Sequence, residues 1–202
     1  MPSKAPLVKS TGTALVAAIA ACEGAAGTSH CAQSLKAHGN IEGMAVTEAG
    51  MSGKSRLPAA LTRAESVRAG LEEVGEDAVA IIVHDAARPL VDDAVLERVL
   101  GPLAEGWAGV VPGLPVADTV KRVAEDVVTG TVDRADLVTV QTPQAFPAET
   151  LRAAYAGDLV GATDCASLVE RAGGRIRIVA GDLRLLKVTT SDDLARIESW
   201  LP

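Results

Sequence analysis

The sequence has few aromatic residues, few cysteines and an excess of negative charge, and each of these features argues against a class of protein. Only 2% of the 202 residues are aromatic, so the stacking surfaces that bind single-stranded nucleic acid are scarce. A formal net charge of −7 also argues against a nucleic-acid partner. The three cysteines form no Cys-x-x-Cys pair, which indicates neither a disulfide framework nor a zinc site. We therefore expect a cytoplasmic protein with an aliphatic core.

Long hydrophobic runs are lacking too, as is the Gly-x-Gly-x-x-Gly pattern of nicotinamide-dependent enzymes. The most apolar N-terminal stretch, residues 14–22, is uncharged, but it is too short to cross a bilayer. Because Lys4 and Lys9 precede it, this stretch could pass for a weak signal sequence, although nothing else in the chain indicates export. We expect no membrane partner.

A chain of this length is expected to form a single domain, residues 1–202. Residues 1–60 are atypical, because no clean strand or helical period is recognisable between residues 23 and 58. From residue 63 onward, strand and helix patterns alternate, which predicts an α/β fold with a mainly parallel sheet and helices on both faces. The predicted helices are 63–74, 92–100, 147–155, 163–172 and 190–201, and the predicted strands are 80–83, 108–112, 137–141, 175–179 and 185–188.

Residues 116–134 interrupt this alternation. Two runs rich in β-branched residues, 116–123 and 127–132, flank a Glu125-Asp126 turn, which predicts an antiparallel hairpin. A hairpin with so little apolar area is marginal alone and needs a partner surface. It is either an arm that reaches a second subunit or an extension of the sheet.

The predicted strand 80–83 ends in His84, Asp85 and Arg88. Ligands bind beyond the carboxyl ends of strands in open α/β sheets, and there Asp85 and Arg88 could hold a cation and a phosphate together. Alternatively, Asp85 caps the next turn and pairs with Arg88. We expect His84 to be a buried, hydrogen-bonded group rather than a base or metal ligand.

Polar residues recur near other strand ends, and together they predict a polar crevice for a phosphate and a metal. They are Thr119, Lys121, Thr142, Gln144, Lys187 and Thr189. Taken singly, Thr142 and Thr189 could be caps, and Thr163-Asp164 could be the start of a helix.

Six ordered segments resemble the 2-C-methyl-D-erythritol 4-phosphate cytidylyltransferase family. They are 83–89 (V-H-D-A-A-R-P), 118–121 (D-T-V-K), 131–134 (T-V-D-R), 141–146 (Q-T-P-Q-A-F), 163–167 (T-D-C-A-S) and 187–189 (K-V-T). Residues 62–67 (T-R-A-E-S-V) are similar to that family's R-x-x-S-V segment. The resemblance covers about residues 61–202.

The resemblance implies a Rossmann-like nucleotidyltransferase that joins CTP and 2-C-methyl-D-erythritol 4-phosphate and releases pyrophosphate, in non-mevalonate isoprenoid biosynthesis. It implies that Asp85 and Arg88 lie at the shared site, with Asp85 beside the nucleotide and its Mg²⁺, and that Ser66 lies near the cytosine pocket. The residues implied to hold the methylerythritol phosphate are Thr119, Arg134, Thr142, Thr163 and Lys187. Lys4, Arg134 and Lys187 would be the catalytic cations. The hairpin would be a dimerisation arm, with Arg134 serving the neighbouring subunit of a homodimer.

The family's opening strand and Gly-rich loop, A-A-G-x-G-x-R, are not recognisable. Ala25-Ala26-Gly27 imitates the start of the loop, but Ser29 and Cys31 stand where a glycine and the arginine belong. Counting back from Ser66 puts the first strand before residue 1, so we expect a truncated or frame-shifted start rather than a diverged or inactive relative. We predict weak or absent activity. Two alternatives remain, a cytidylyltransferase for ribitol 5-phosphate or another polyol phosphate, and a non-catalytic dimeric relative.

Overall fold

The computed structural model describes residues 15–21, 44–47 and 62–201. Its strands are β1 (Leu15–Ala21), β2 (Met44–Thr47), β3 (Ala78–Asp85), β4 (Gly109–Pro115), β5 (Val120–Ala124), β6 (Val127–Val132), β7 (Val138–Val140), β8 (Gln144–Pro147) and β9 (Ile176–Ala180). Its helices are α1 (Arg63–Glu72), α2 (Asp93–Leu100), α3 (Ala148–Tyr155), α4 (Cys165–Arg171) and α5 (Ser191–Glu198), with 3₁₀ helices at Gly101–Glu105 and Leu183–Leu185. Lys4 lies outside the described residues, so its role stays a prediction.

Seven of these strands form one sheet in the order β2-β1-β3-β8-β4-β7, with β9 also paired to β4. The pairs β1–β2, β1–β3 and β4–β9 are parallel. β8 runs antiparallel to β3 and β4, and β7 runs antiparallel to β4. Five of the seven strands therefore point the same way. The predicted α/β fold with a mainly parallel sheet is confirmed, and β7 and β8 make the sheet mixed.

The structure corrects the expectation that the first strand lies before residue 1. β1 pairs with β3 along its whole length, from Leu15 beside Ala78 to Ala21 beside Asp85. β2, which the sequence patterns did not reveal, pairs with β1. Both strands are hard to recognise because β1 is rich in alanine, a residue depleted in strands, and β2 has only four residues. The stretch that could pass for a signal sequence is thus an inner strand of the sheet.

β3 divides the apolar core into two layers. Ile81 and Val83 pack in one cluster with residues of α1, α3 and α4, whereas Ala80 and Ile82 pack in the other with residues of α2. Successive side chains of a strand point to opposite faces, so a continuous apolar run can be buried on both sides. Ile81, Ile82 and Val83 are fully buried, and helices cover both faces, as predicted.

The predicted hairpin is confirmed as a separate two-stranded sheet of β5 and β6. Glu125 in its turn has φ of 52°, in the left-handed region. The side chains of Val123, Val127 and Val128 are exposed. The role of the hairpin as a dimerisation arm stays a prediction.

The segment after β9 is wrongly predicted as a strand at 185–188. Asp182 instead caps the 3₁₀ helix Leu183–Leu185 by accepting a hydrogen bond from the Arg184 N–H. The following residues attach to the loop after β3, where the Val188 N–H donates to the Ala87 carbonyl at 2.8 Å. The apolar residues of this segment thus pack beside β3 rather than joining the sheet.

Helix capping follows the sequence more closely. Asp92 caps α2, Asp164 caps α4 and Thr190 caps α5, and these caps lie at or beside the predicted helix starts at residues 92, 163 and 190. Within the described residues, every helix is too short or too polar to cross a membrane.

Candidate functional site

Asp85, the last residue of β3, lies among three cationic side chains. Arg63 Nε is 3.1 Å from Oδ1 of Asp85, while Arg88 Nε and Lys187 Nζ are 3.7 and 3.6 Å from Oδ2. Burial alone would raise the pKa of Asp85, but the positive charges of Arg63, Lys187 and Arg88 outweigh burial and lower it. The carboxyl group is therefore ionised at neutral pH, and it holds the three cations together.

A chain of hydrogen bonds fixes the backbone around Asp85. The Asp85 N–H donates to the Thr142 hydroxyl at 2.9 Å, and that hydroxyl lies 3.1 Å from Nδ1 of His84. Nε2 of His84 lies 2.9 Å from the Arg88 carbonyl. Because a carbonyl only accepts, His84 carries its proton on Nε2 and accepts from Thr142 at Nδ1. His84 is fully buried, which lowers its pKa to about 4. It is the buried, hydrogen-bonded group that the sequence predicts.

Hydrogen bonds from two sides bring Lys187 to Asp85. The side-chain amide of Gln141 donates to the Asp182 carbonyl at 2.9 Å and accepts from the Asp182 N–H at 3.0 Å. Arg88 Nη1 donates to the Leu185 carbonyl. The segment that carries Lys187 is therefore attached both to the end of β7 and to the loop after β3.

These groups enclose a cavity of about 200 Å³, which we call the Asp85 cavity. Its described lining residues are Arg63, Asp85, Arg88, Val140, Gln141, Thr142, Gln144, Thr163, Asp164 and Lys187. Three cations and two carboxylates line it, so the described wall carries a net positive charge. Of the two carboxylates, Asp164 is already occupied, because it caps α4 and accepts from Gln144 Nε2 at 2.8 Å. A cavity of this charge attracts anions such as phosphate.

Of the eight described residues to which the resemblance assigns a role, the structure brings five together and leaves three elsewhere. Asp85, Arg88, Thr142, Thr163 and Lys187 line the Asp85 cavity. Thr119 and Arg134 lie at the base of the hairpin, where Arg134 Nη1 donates to the Ala117 carbonyl. Ser66 is buried in α1, and its hydroxyl donates to the Thr62 carbonyl at 3.2 Å. The roles assigned to these eight residues stay predictions.

Two site residues, Arg63 and Gln141, received no role from the sequence, and a third, Gln144, was predicted only as one of the polar residues of the crevice. Of the three described cations, Arg63 lies nearest to Asp85; Gln144 contacts Asp164, and Gln141 holds the segment that carries Lys187. Arg63 stands in the R-x-x-S-V segment, and Gln141 and Gln144 flank Thr142. The segments therefore pointed to all three, but only the tertiary structure shows what each contacts.

A second, larger cavity of about 550 Å³ adjoins the first. Its described walls are residues 62–65, Arg68 and residues 157–163. Arg63 and Thr163 line both cavities. Ligand groups larger than a phosphate would have room on this side of the Asp85 cavity.

Among the described residues that line the Asp85 cavity, Asp85 is the candidate metal ligand. In the described ranges, no three His, Cys, Asp or Glu side chains are grouped to form a metal cage. Mg²⁺ commonly takes one or two carboxylates, substrate phosphates and several waters. A single ionised carboxylate in an anion-attracting cavity fits that kind of binding.

Comparison with known proteins gives a consistent result. The family model described as IspD, 2-C-methyl-D-erythritol 4-phosphate cytidylyltransferase, matches residues 58–202. A protein of that name from Nocardia farcinica is 55% identical over 140 residues, which are 69% of this chain and 60% of the relative. The bifunctional enzyme IspD/IspF of Clavibacter michiganensis is 50% identical over 138 residues, 68% of this chain and 34% of the relative.

Solved structures agree over more of the chain. A crystal structure of 4-diphosphocytidyl-2C-methyl-D-erythritol synthase superposes with a TM-score of 0.77 and 29% identity, covering 95% of this chain and all of the other. The Thermus thermophilus 2-C-methyl-D-erythritol 4-phosphate cytidylyltransferase gives 0.75 and 28%, covering 91% and 96%. In sequence, however, the chain spans less than two thirds of the length of the Nocardia and Clavibacter relatives.

Proposed function

This chain belongs to the IspD family of 2-C-methyl-D-erythritol 4-phosphate cytidylyltransferases, and on that premise we propose that it joins CTP and 2-C-methyl-D-erythritol 4-phosphate. The products are 4-diphosphocytidyl-2-C-methyl-D-erythritol and pyrophosphate. The observation that supports this function most directly is the Asp85 cavity, where a strand end, three cations and a carboxylate meet. Ribitol 5-phosphate is not favoured, because the matched family and the named relatives are methylerythritol phosphate enzymes.

In the proposed reaction, an oxygen of the methylerythritol phosphate attacks the α-phosphorus of CTP and pyrophosphate leaves. A phosphate monoester is largely dianionic at neutral pH, so the reaction needs positioning and charge stabilisation rather than a general base. We assign Lys187 and Arg88 to the attacking phosphate, and we assign Asp85 to holding these two cations together in fixed positions. His84 takes no part in proton transfer, since both its ring nitrogens are already hydrogen-bonded.

We also propose that Asp85 is the protein ligand of Mg²⁺, which would neutralise phosphate charge when bound with CTP. The ionised state of Asp85 supports this role. Thr163, which lines both cavities, would contact the bound substrate beside Lys187.

A homodimer formed through the hairpin is part of the proposal. The exposed fractions of Val123, Val127 and Val128 are 58%, 67% and 57%, and a second subunit would cover such an apolar surface. Thr119 and Arg134, at the base of the hairpin, would then act in the partner's site. We place the enzyme in the cytoplasm, in keeping with the unpaired buried thiol of Cys165.

We expect turnover to be slow. The segment that follows β1 lacks the second glycine and the arginine of the family's loop. Loss of one donor that stabilises developing charge costs about 3 kcal/mol of the barrier. Arg88 and Lys187, which are assigned to the methylerythritol phosphate, would still bind it.

Pyrophosphate release with CTP, Mg²⁺ and each alcohol phosphate tests the function. We expect release with 2-C-methyl-D-erythritol 4-phosphate above that with ribitol 5-phosphate. Lys187→Ala removes a charged contact worth about 1.5–3 kcal/mol, so KM for the methylerythritol phosphate should rise about 10- to 100-fold, with KM for CTP nearly unchanged. Arg184→Ala is the matched control, because Arg184 is an exposed cation three residues away.

Two results would overturn the proposal. If Lys187→Ala raised KM for CTP as much as KM for the methylerythritol phosphate, the role assigned to this lysine would be wrong. A folded wild-type chain that releases no pyrophosphate and binds no CTP with Mg²⁺ in calorimetry would indicate the non-catalytic dimeric relative instead.

A further inference from the structure

Arg63 connects Asp85 to a buried pair of side chains behind the site. Its Nε donates to Oδ1 of Asp85 at 3.1 Å, and its Nη1 donates to Sγ of Cys165 at 3.5 Å. The Tyr155 hydroxyl lies 3.2 Å from the same sulfur. Cys165 is fully buried and Tyr155 nearly so. The guanidinium is thus held between a carboxylate of the cavity and an anchor in the core.

The three described cations around Asp85 do not act in the same way. Arg88 and Lys187 approach Oδ2 at 3.7 and 3.6 Å, which is beyond hydrogen-bond distance. Their attraction is strong but has little directional preference. Arg63 alone of these three makes a hydrogen bond, and it does so to the other oxygen, Oδ1. Among these three cations, Arg63 therefore makes the directional contact that constrains the rotation of the carboxylate.

We propose that Arg63 is a positioning residue that orients the Asp85 carboxylate, and that Cys165 and Tyr155 anchor Arg63 for this task. The inference rests on the function proposed above. Asp85 in turn determines where Arg88 and Lys187 lie, so a rotated carboxylate would misplace the cations that grip the attacking phosphate. Misplacement of reacting groups by about 1 Å can cost about 100-fold in rate.

Cys165 and Tyr155 can hold the Arg63 guanidinium without weakening its attraction to Asp85. Burial raises the pKa of Cys165 and of Tyr155, so both are neutral at physiological pH. A neutral sulfur is a weak acceptor, which leaves the full attraction of the guanidinium for Asp85. The backbone of Arg63 is fixed as well, since Arg63 is the first residue of α1 and lies within the Thr62–Glu65 capping box.

Lysine is the informative replacement. Arg63→Lys keeps the charge, but one ammonium on a flexible stem cannot contact Asp85 and Cys165 in the fixed geometry of a guanidinium. If Arg63 supplied only charge, lysine would serve. If Arg63 orients Asp85, lysine should fail although the site keeps its net charge.

Arg152 of α3 provides the matched control, because it is a structural arginine that binds the carboxyl end of α1, whereas Arg63 lies at the beginning of α1. It donates to the carbonyls of Leu71, Val74 and Gly75, which follow α1 or end it. Arg152→Lys should therefore lower the melting temperature without changing turnover. Cys165→Ala removes the anchor while keeping Arg63, and it serves if Arg63→Lys folds poorly.

The experiment measures pyrophosphate-release kinetics and thermal melting of the full chain and these variants. For Arg63→Lys we expect kcat to fall about 10- to 100-fold, KM for CTP to stay within about threefold, and a melting temperature no lower than that of Arg152→Lys. Cys165→Ala should lower kcat about 3- to 10-fold, by the same loss of alignment. A kcat for Arg63→Lys within about threefold of the wild-type value would overturn the proposal. It would also be overturned if kcat fell in proportion to the melting temperature in both Arg63→Lys and Arg152→Lys.

A crystal structure of Arg63→Lys separates this inference from the proposed function. We expect the Asp85 carboxylate to turn toward Arg88 and Lys187; an unchanged carboxylate would overturn the positioning role. If the wild-type chain releases no pyrophosphate, the proposed function fails. The orientation of the Asp85 carboxylate in the Arg63→Lys crystal structure still decides whether Arg63 positions it.

Discussion

Replacing Thr142 by valine tests the hydrogen-bond chain beneath the site. The Thr142 hydroxyl accepts from the Asp85 N–H and donates to Nδ1 of His84. Valine has nearly the same shape but can do neither. Thr142 is only 4% exposed and His84 is fully buried, so water cannot readily replace the lost hydroxyl.

The cost follows from the two polar groups that the substitution leaves unpaired. Each buried group without a partner costs about 1–3 kcal/mol, so we expect Thr142→Val, which leaves two such groups, to lower the free energy of unfolding by about 2–6 kcal/mol. Domains are typically stable by only about 5–15 kcal/mol. For a chain of this size, the melting temperature should fall by roughly 4–24 °C.

Urea unfolding of both proteins measures this difference, with Thr139→Val as the control. Thr139 lies on the exposed strand β7, and its hydroxyl donates to the Leu114 carbonyl at 3.3 Å. Removing that exposed contact should change stability by no more than about 0.5 kcal/mol. A loss below about 1 kcal/mol in Thr142→Val, or equal losses in both variants, would refute the argument that the hydroxyl satisfies two buried groups.

Three further predictions concern pH, packing and assembly. Burial lowers the pKa of His84, which faces Asp85 and Arg88, from 6.5 to about 4. Between pH 6.5 and about pH 4, His84 is therefore protonated in the unfolded chain but not in the folded chain. Stability should therefore fall by roughly 3 kcal/mol as pH drops through this window, and urea titrations of His84→Gln should lack this slope; equal slopes would contradict the assignment. Gly109→Ala would place a Cβ 2.5 Å from Phe146 Cδ1, so unfolding should become easier by about 1–3 kcal/mol, and unchanged stability would show that Phe146 can move aside. Mixing inactive Arg134→Ala and Asp85→Asn proteins should restore part of the activity if the hairpin crosses between subunits, whereas no recovery in a mixed dimer would argue against the shared site.

The elements that the sequence predicts well are those with strong local signals. α2 and α5 carry both an apolar periodicity and a capping side chain, Asp92 or Thr190, and both are confirmed. β3 is a long β-branched run. By contrast, β1 is mostly alanine, and β8 has four residues that directly precede α3. Such strands form because neighbouring strands pair with them, and this pairing cannot be predicted from a local sequence pattern.

The candidate site shows the same division. Asp85, Arg88 and Lys187 could be predicted as site residues because each charged residue closely follows an apolar segment. The partners of Asp85 could not be predicted, because Arg63 and Lys187 are 22 and 102 positions away in the sequence and meet it only through packing. His84 was readable as a buried group, but its tautomer depends on Thr142 and on the Arg88 carbonyl.

Thr142 and Gln144 reach Asp85 for a reason other than the rule about carboxyl ends of strands. β8 runs antiparallel to β3, with Gln144 opposite Val83, so the beginning of β8 lies at the carboxyl end of β3. In a purely parallel sheet, residues just before a strand would lie at the opposite edge, far from Asp85. The reversed strand therefore delivers the Thr142 hydroxyl to the Asp85 backbone and the Gln144 amide to Asp164. Since α4 begins just after Asp164 and supplies Cys165 to Arg63, the direction of this one strand links both sides of the Asp85 cavity.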